Sequence, residues 1–269
     1  MPAVPGAAAS APKVELRGVN LRYFSTAGET EALSGISFGV QPGEFVGIIG
    51  QSGCGKSTLL SLISGILKPT DGEVLVDGRP VSAPGPAVGY MLQQDFLFEW
   101  RTILENAVLG AEIQRTDSGI ARERATQLLT RYGLGSFLKH LPRELSGGMR
   151  QRVALARTLC TNPDVVLLDE PFSALDSQTR IALADEVSDI LRREGKTVIL
   201  VTHDIGEAIS MSDRVLVLSR RPGRVKSEHP IGFSTADGVR PTPFKARSAP
   251  EFNDYFNRLW QELEVHVEG

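Results

Sequence analysis

The stretch "EFVGIIGQSGCGKSTLL", residues 44–60, decides the fold. A short apolar run ends at Gly50, a glycine-rich loop follows, and a helix with one apolar face is predicted from Lys56 to residue 67. Such a loop wraps its backbone around phosphates, while its lysine reaches the β- and γ-phosphates and the next hydroxyl can bind Mg²⁺. The spacing predicts a nucleotide site, with Ser57 also a metal ligand, formed by Gly50, Gln51, Ser52, Gly53, Cys54, Gly55, Lys56, Ser57 and Thr58.

Two carboxylates follow a second apolar run, "VVLLDEP" at residues 165–171. The apolar residues predict a central strand, and open α/β sheets bind ligands at the carboxyl ends of their strands. Asp169 is suited to hold Mg²⁺, and Glu170 to orient or deprotonate the water that attacks a phosphate. Adjacent acidic residues are usually only solvated, but their place at the end of so apolar a strand favours the functional interpretation.

Two further polar residues end or follow apolar runs. "TVILVTHD", residues 197–204, places His203 at the end of another predicted strand, where it is either structural or a contact of the γ-phosphate. Gln93 lies just after "VGYML", where a glutamine can bind Mg²⁺ or the attacking water, or be an ordinary loop residue. We predict that His203 and Gln93 act with Glu170 in catalysis, and that Gln93 is also a metal ligand.

A second glycine pair opens the stretch "LSGGMRQRVALARTL" at residues 145–159. A helix that begins on Ser-Gly-Gly presents unpaired backbone N–H groups and the positive end of its dipole, which together suit an anion. Ser146 is also predicted to cap the helix, and the same groups serve both purposes. Ser146, Gly147 and Gly148 are therefore predicted to form a second phosphate site.

The order of elements predicts an α/β fold. Weak alternation over residues 14–40 suggests antiparallel strands joined by a turn at 28–30, and the apolar strands that follow suggest a parallel sheet. Helical, charged sequence over about residues 94–160 indicates an inserted helical subdomain. Residues 1–13, rich in Ala, Pro and Gly, are predicted to be a disordered tail, and residues 246–269 a C-terminal helical extension.

Composition narrows the function classes. The 269 residues carry a net charge of −3, which provides no basic footprint for nucleic acid. No apolar run approaches the roughly 20 residues of a membrane span, and the first residues lack the features of a secretion signal. We therefore expect a cytoplasmic location. Two cysteines, Cys54 and Cys160, are too few for a disulfide scaffold or a zinc site.

Together these motifs resemble the ATP-binding cassette (ABC) family over nearly the whole chain. The family's phosphate loop matches "GQSGCGKS", its signature matches "LSGGMRQ", and its D-loop matches "SALD", which ends at Asp176 and adds a nucleotide contact. The remaining family motifs match Gln93, Asp169, Glu170 and His203. The resemblance implies a P-loop NTPase over residues 14–245, with a RecA-like parallel sheet core, an N-terminal antiparallel β-subdomain and the inserted α-helical subdomain.

The resemblance also implies how the nucleotide is held. The family's aromatic residue that stacks on adenine matches Tyr23 by position, and neighbouring Phe24 is the alternative. Family cassettes face head to tail, so that the signature of one closes over the ATP held by Lys56 of the other. Because the chain has one set of motifs, we expect a second ATP-binding subunit, either an identical copy or a paralogue.

Several stretches resemble importers of the nitrate, sulfonate and taurine group, among them "WRTILENAVLG", "VTHDIGEAI" and "PEFNDYFNRLWQEL". "FEWRTILEN" also resembles relatives that carry thiamine-type pyrimidine precursors, and Glu99 replaces the proline often found before this tryptophan. In family importers the segment after the glutamine receives a coupling helix from the membrane subunits. Phe96, Phe98 and Trp100 either line that groove or belong to the core.

The resemblance therefore implies an ATPase subunit that uses ATP and Mg²⁺ at the cytoplasmic face of the inner or plasma membrane. Its expected partners are integral membrane permease subunits and, indirectly, a periplasmic or extracellular solute-binding protein. The alternative is a soluble ABC ATPase that acts on nucleic acid or ribosomes. That alternative predicts a basic surface, long coiled coils or two cassettes in one chain, and the sequence has none of these.

Overall fold

The structure, a computed structural model, describes residues 11–25, 28–235 and 238–263. Its strands are β1 (Val14–Ser25), β2 (Gly28–Val40), β3 (Phe45–Gly50), β4 (Asp71–Val76), β5 (Arg79–Pro80), β6 (Val88–Met91), β7 (Val165–Asp169), β8 (Thr197–Val201), β9 (Arg214–Leu218) and β10 (Val225–Pro230). Its helices are α1 (Lys56–Ile63), α2 (Ile103–Ile113), α3 (Ser118–Arg131), α4 (Gly147–Cys160), α5 (Ser177–Arg193), α6 (Ile205–Met211), α7 (Pro243–Ala246) and α8 (Pro250–Leu263).

The larger sheet has the strand order β10-β9-β3-β8-β7-β6. Its neighbours pair in parallel, except that β9 and β10 are antiparallel. Every residue of β3, β7 and β8 is buried, as expected for strands covered on both faces. These three strands are adjacent, so the loops at their carboxyl ends meet at one edge of the sheet.

The smaller sheet is antiparallel, with the order β2-β1-β4-β5. The turn predicted at residues 28–30 is wrong, because these residues belong to β2. Gly28 pairs with Ser25 and Thr30 pairs with Tyr23, so the ladder extends beyond the point at which the local sequence suggested a turn. Cross-strand pairing overrides the turn preference of the glycine.

Helix α1 ends earlier than predicted. It ends at Ile63, and Gly65 then adopts a left-handed φ of 79°. A Cβ at Gly65 would lie 2.5 Å from the backbone carbon of Ala83, so the chain turns here in a conformation and a space that suit only glycine. Ile66, predicted on the apolar face of the helix, is 55% exposed.

The predicted insertion contains α2, α3 and α4, which pack on one another. Thr102 and Glu105 form a capping box at the start of α2, and Asp117 caps α3. The apolar face of α4 shares one core with α2, α3 and the underside of β7. Helix α4 therefore joins the helical region to the sheet.

The two ends of the described chain pack on the core. Residues 1–10 of the predicted tail lie outside the described residues, but Lys13 is held by Asp77 and Asp164 at 2.9 and 3.0 Å. Of the predicted extension, residues 264–269 lie outside the described residues. Helix α8 buries Leu259 against β9 and α6 in a third apolar cluster. No helix of the described residues is both long and apolar enough to cross a membrane.

Candidate nucleotide site

A cavity of about 280 Å³ lies at the edge of the sheet where β3 and β7 end. Several residues predicted from separate motifs line it together, because their strands are neighbours in the sheet. The lining residues are Ala32, Ser52, Gly53, Gly55, Lys56, Ser57, Thr58, Gln93, Glu170 and Arg221.

The loop after β3 is organised by Lys56. The lysine is only 7% exposed, and its ammonium donates to the carbonyl oxygens of Gly50 at 2.8 Å and Gln51 at 3.2 Å. Gly50, Gln51 and Cys54 do not line the cavity, and burial raises the pKa of the Cys54 thiol. Gly55 has a φ of 105°, and a Cβ there would lie 2.7 Å from a side-chain methyl of Leu33, so only glycine fits.

Asp169 ends β7 beside this loop and is 3% exposed. Its Oδ2 accepts a hydrogen bond from the Tyr90 hydroxyl at 3.2 Å, while its Oδ1 is buried without a partner. Burial raises the pKa of this carboxyl, and the neighbouring Ser57 and Tyr90 hydroxyls oppose that rise. A buried carboxylate oxygen without a donor, next to a serine hydroxyl, suits a hard cation such as Mg²⁺, which usually takes one or two carboxylates together with phosphates and water.

The other two predicted catalytic residues both contact one carboxylate oxygen of Glu170. Its Oε2 accepts from the Gln93 amide at 3.1 Å and lies 3.2 Å from His203 Nδ1. Its φ is 49°, a left-handed backbone conformation, and its N–H donates to the carbonyl of Val201 at 2.8 Å. Such a conformation is unfavourable by about 1–3 kcal/mol outside glycine and is typical of functional positions. The structure therefore brings Gln93, Glu170 and His203 together.

The signature residues lie apart from this cavity. Ser146 caps α4 by accepting a hydrogen bond from the Met149 N–H at 3.3 Å. Gly147 lines a second cavity of about 570 Å³, which it shares with Gln93. Neither Ser146, Gly147 nor Gly148 lines the first cavity, although all three lie within the described residues.

The predicted D-loop residue Asp176 is exposed and caps α5. Its Oδ1 accepts from the backbone N–H groups of Gln178 at 3.1 Å and Thr179 at 3.0 Å. The bonds at Thr179 are the main reason that the pKa of Asp176 is lowered. Asp176 therefore has a structural role in the chain by itself.

The aromatic residues singled out from the sequence are exposed. Tyr23 is 45% and Phe24 73% exposed, and neither lines the cavity. Phe96, Phe98 and Trp100 are 57%, 36% and 76% exposed, and the rings of Phe98 and Trp100 stack at 4.8 Å. The interpretation of these three as core is therefore wrong, because the buried positions of this segment are Leu97 and Ile103.

Two polar residues at this edge were not predicted, Tyr90, which bonds to Asp169, and Arg221 in the cavity wall. The sequence contains a feature that could have indicated each of these two residues. Tyr90 carries the one polar side-chain atom in the run "VGYM", and Arg221 follows an apolar run that becomes the parallel neighbour of β3.

The fold and this arrangement define a nucleotide-binding ATPase cassette of the P-loop class. A family model described as ABC transporter matches residues 33–173. The chain is 47% identical to the uncharacterized ABC transporter ATP-binding protein YtlC of Bacillus subtilis, over 90% of this chain and 92% of that protein. It is 40% identical to the taurine import ATP-binding protein TauB of Burkholderia pseudomallei, over 93% and 96% of the two chains.

A solved structure is also similar. The dimeric post-hydrolysis state of the ATP-binding cassette MJ0796, bound to ADP and phosphate, matches with a TM-score of 0.74 and 35% identity. The match covers 82% of this chain and 100% of that one. The chain belongs to the ABC transporter family as an ATP-binding subunit, and the predicted parallel core, antiparallel subdomain and nucleotide-hydrolysing class are confirmed.

Proposed function

We propose that this chain hydrolyses ATP at the cavity beside Lys56 and drives the uptake of a small solute through separate membrane subunits. The observation that carries the proposal is the convergence of Gln93 and His203 on one oxygen of Glu170 at the wall of that cavity. Such convergence suits a general base whose orientation is set by neighbours.

In the proposed reaction, Glu170 Oε1 accepts a proton from the attacking water, because both neighbours bond to Oε2. The ammonium of Lys56 gives up its hydrogen bonds to the loop carbonyls and donates to the phosphates instead. Asp169 Oδ1 and the Ser57 hydroxyl would hold Mg²⁺, and Gln93 would be a further ligand. The ion would neutralise charge on the transferred phosphoryl group.

Two cassettes are proposed to act together. The similar cassette MJ0796 is dimeric in its ADP- and phosphate-bound state. In this chain, Ser146, Gly147 and Gly148 lie outside the cavity that contains Lys56, so their free N–H groups suit a nucleotide on a second subunit. Asp176 would lie at the same interface, and Tyr23, or else Phe24, would stack on adenine.

The exposed surface of Phe96, Phe98 and Trp100 is the proposed contact of the permease subunits, and the chain is accordingly proposed to act at the cytoplasmic face of the membrane. Similarity to TauB supports a sulfonate such as taurine as the solute. Nitrate and a thiamine-type pyrimidine precursor remain the alternatives. If taurine is the solute, deleting this chain from its host abolishes growth on taurine as the only sulfur source; unchanged growth excludes taurine.

The chemical step is tested with Glu170→Gln, which keeps the size of the side chain and removes the base. We expect phosphate release to fall roughly 10²- to 10⁴-fold, while ATP binding persists and an ATP-bound dimer accumulates in gel filtration. Glu123→Gln, at an exposed position of α3, is the matched control and should hydrolyse ATP at the wild-type rate. Normal phosphate release by the Glu170 variant would remove Glu170 as the base.

A further inference from the structure

The segment "SRRPGR", residues 219–224, follows β9 and lies between β2 and the phosphate loop. The N–H of Gly223 donates to the carbonyl of Ala32 at 2.9 Å, and the N–H of Ser34 donates to the carbonyl of Gly223 at 3.0 Å. A Cβ on Gly223 would lie 2.2 Å from the carbonyl oxygen of Cys54, so the two backbones touch. The segment is therefore fixed between β2 and the loop.

Two of the three arginines of this segment, Arg220 and Arg221, make different contacts. Arg220 donates through Nε to the side-chain oxygen of Gln51 at 2.9 Å, and the Gln51 amide donates to the carbonyl of Leu263 at 3.2 Å. Arg220 therefore ties its segment to the loop, and Gln51 ties the loop to the end of α8. Arg221 instead lines the cavity of Lys56 and Ser57.

Arg221 is exposed, and no carboxylate or other acceptor of the described residues bonds to its guanidinium. Arg214 on β9, by contrast, lies 2.9 Å from Glu44 and 2.8 Å from Glu228, so its charge is neutralised. Arg221 and Lys56 are the cationic side chains among the residues that line the cavity, and the ammonium of Lys56 is already bonded to loop carbonyls.

We propose that Arg221 is a nucleotide-binding residue that donates hydrogen bonds to the phosphate chain from the β2 side of the cavity. A planar guanidinium presents paired N–H donors that match phosphate oxygens, and Arg221 breaks no ion pair of the described residues when it turns to an anion. The proposal rests on the proposed function only in taking the cavity of Lys56 as the nucleotide site.

The test compares Arg221→Ala with Arg224→Ala, which removes an exposed arginine of the same segment that does not line the cavity. Equilibrium binding of ATP, ADP and adenosine is measured by calorimetry on the full chain, with a thermal melt of each variant. For Arg221→Ala we expect the Kd of ATP and ADP to rise roughly tenfold, the value of one charge-assisted hydrogen bond. The Kd of adenosine should not change.

Arg224→Ala should bind all three ligands as the wild type does. Arg221→Lys, which keeps the charge but loses the paired donors, should fall between the wild type and Arg221→Ala and remains informative if the alanine variant folds poorly. Equal ATP binding by Arg221→Ala and the wild type, or equal losses for ATP and adenosine, would overturn the proposal. Absence of ATP binding in the wild type would instead refute the proposed function.

Discussion

Replacing Tyr90 by phenylalanine removes one hydroxyl from behind the proposed metal ligand. The Tyr90 hydroxyl lies 3.2 Å from Asp169 Oδ2, and burial raises the pKa of the phenol, so it stays protonated and able to donate. Asp169 Oδ1 is buried without a hydrogen-bond partner among the described residues, and the Ser57 hydroxyl is a neighbour of this carboxyl. In the proposed metal site, the phenol would therefore hold one carboxylate oxygen of Asp169 and leave the other to bind the cation.

The expected loss of metal affinity follows from the hydrogen bond that the substitution removes. A hydrogen bond to a charged group contributes about 1.5–3 kcal/mol, and removing a group that orients a metal ligand lowers metal affinity roughly 10- to 100-fold. For Tyr90→Phe we therefore expect the affinity of the nucleotide complex for Mn²⁺, followed by electron paramagnetic resonance, to fall by roughly tenfold or more. Nucleotide binding in the presence of a chelator should be unchanged.

Tyr132→Phe is the matched control, because the Tyr132 hydroxyl is buried in the helical region without a hydrogen-bond partner. That variant should bind Mn²⁺ as the wild type does. If Tyr90→Phe also binds Mn²⁺ with wild-type affinity, the orientation of Asp169 does not depend on Tyr90 and the reasoning fails.

Three further predictions concern the packing of the chain. Leu259→Ala, which empties a fully buried position of α8, should lower the free energy of unfolding in urea by about 2–5 kcal/mol; an unchanged value would mean that α8 does not pack on the sheet. Gly148→Val should destabilise by about 1–3 kcal/mol, because a Cβ there would lie 2.5 Å from Leu175, and Leu175→Ala should relieve part of that loss in a double-mutant cycle. Burial raises the pKa of Glu207 above its ordinary 4.5, so the stability that its protonated form contributes is lost as pH rises through the folded pKa. Glu207→Gln should thus gain stability relative to the wild type as pH rises from the unfolded pKa of about 4.5 through the raised folded pKa, and a difference that stays constant with pH would contradict this.

Most of the predicted catalytic geometry depends on features that are local in the chain. A glycine loop between a buried strand and a helix, and carboxylates that end an apolar strand, have recognisable patterns in a few residues. Parallel strands present their carboxyl ends at one edge of a sheet, so Lys56, Asp169 and His203 were expected to lie near one another before the strand order was known. Their roles in catalysis remain predictions.

Other features depend on which elements are neighbours. Ile66 and Trp100 carry the apolar side chains expected of a core, but both are exposed, because no element within the described part of the chain covers them. The ladder of β1 and β2 extends through residues that were predicted to turn, since hydrogen bonds to the partner strand outweigh local preference.

The amino-acid sequence by itself determined the phosphate loop, the acidic pair and the class of fold, because each depends on a short pattern of charge, glycine and apolar residues. Only the tertiary structure decided that Tyr90 bonds to Asp169 and that Arg221 lines the cavity of Lys56. The physical reason is sequence separation: Tyr90 and Asp169 lie 79 positions apart. Contacts over such distances follow from strand order and register, which local periodicity does not contain.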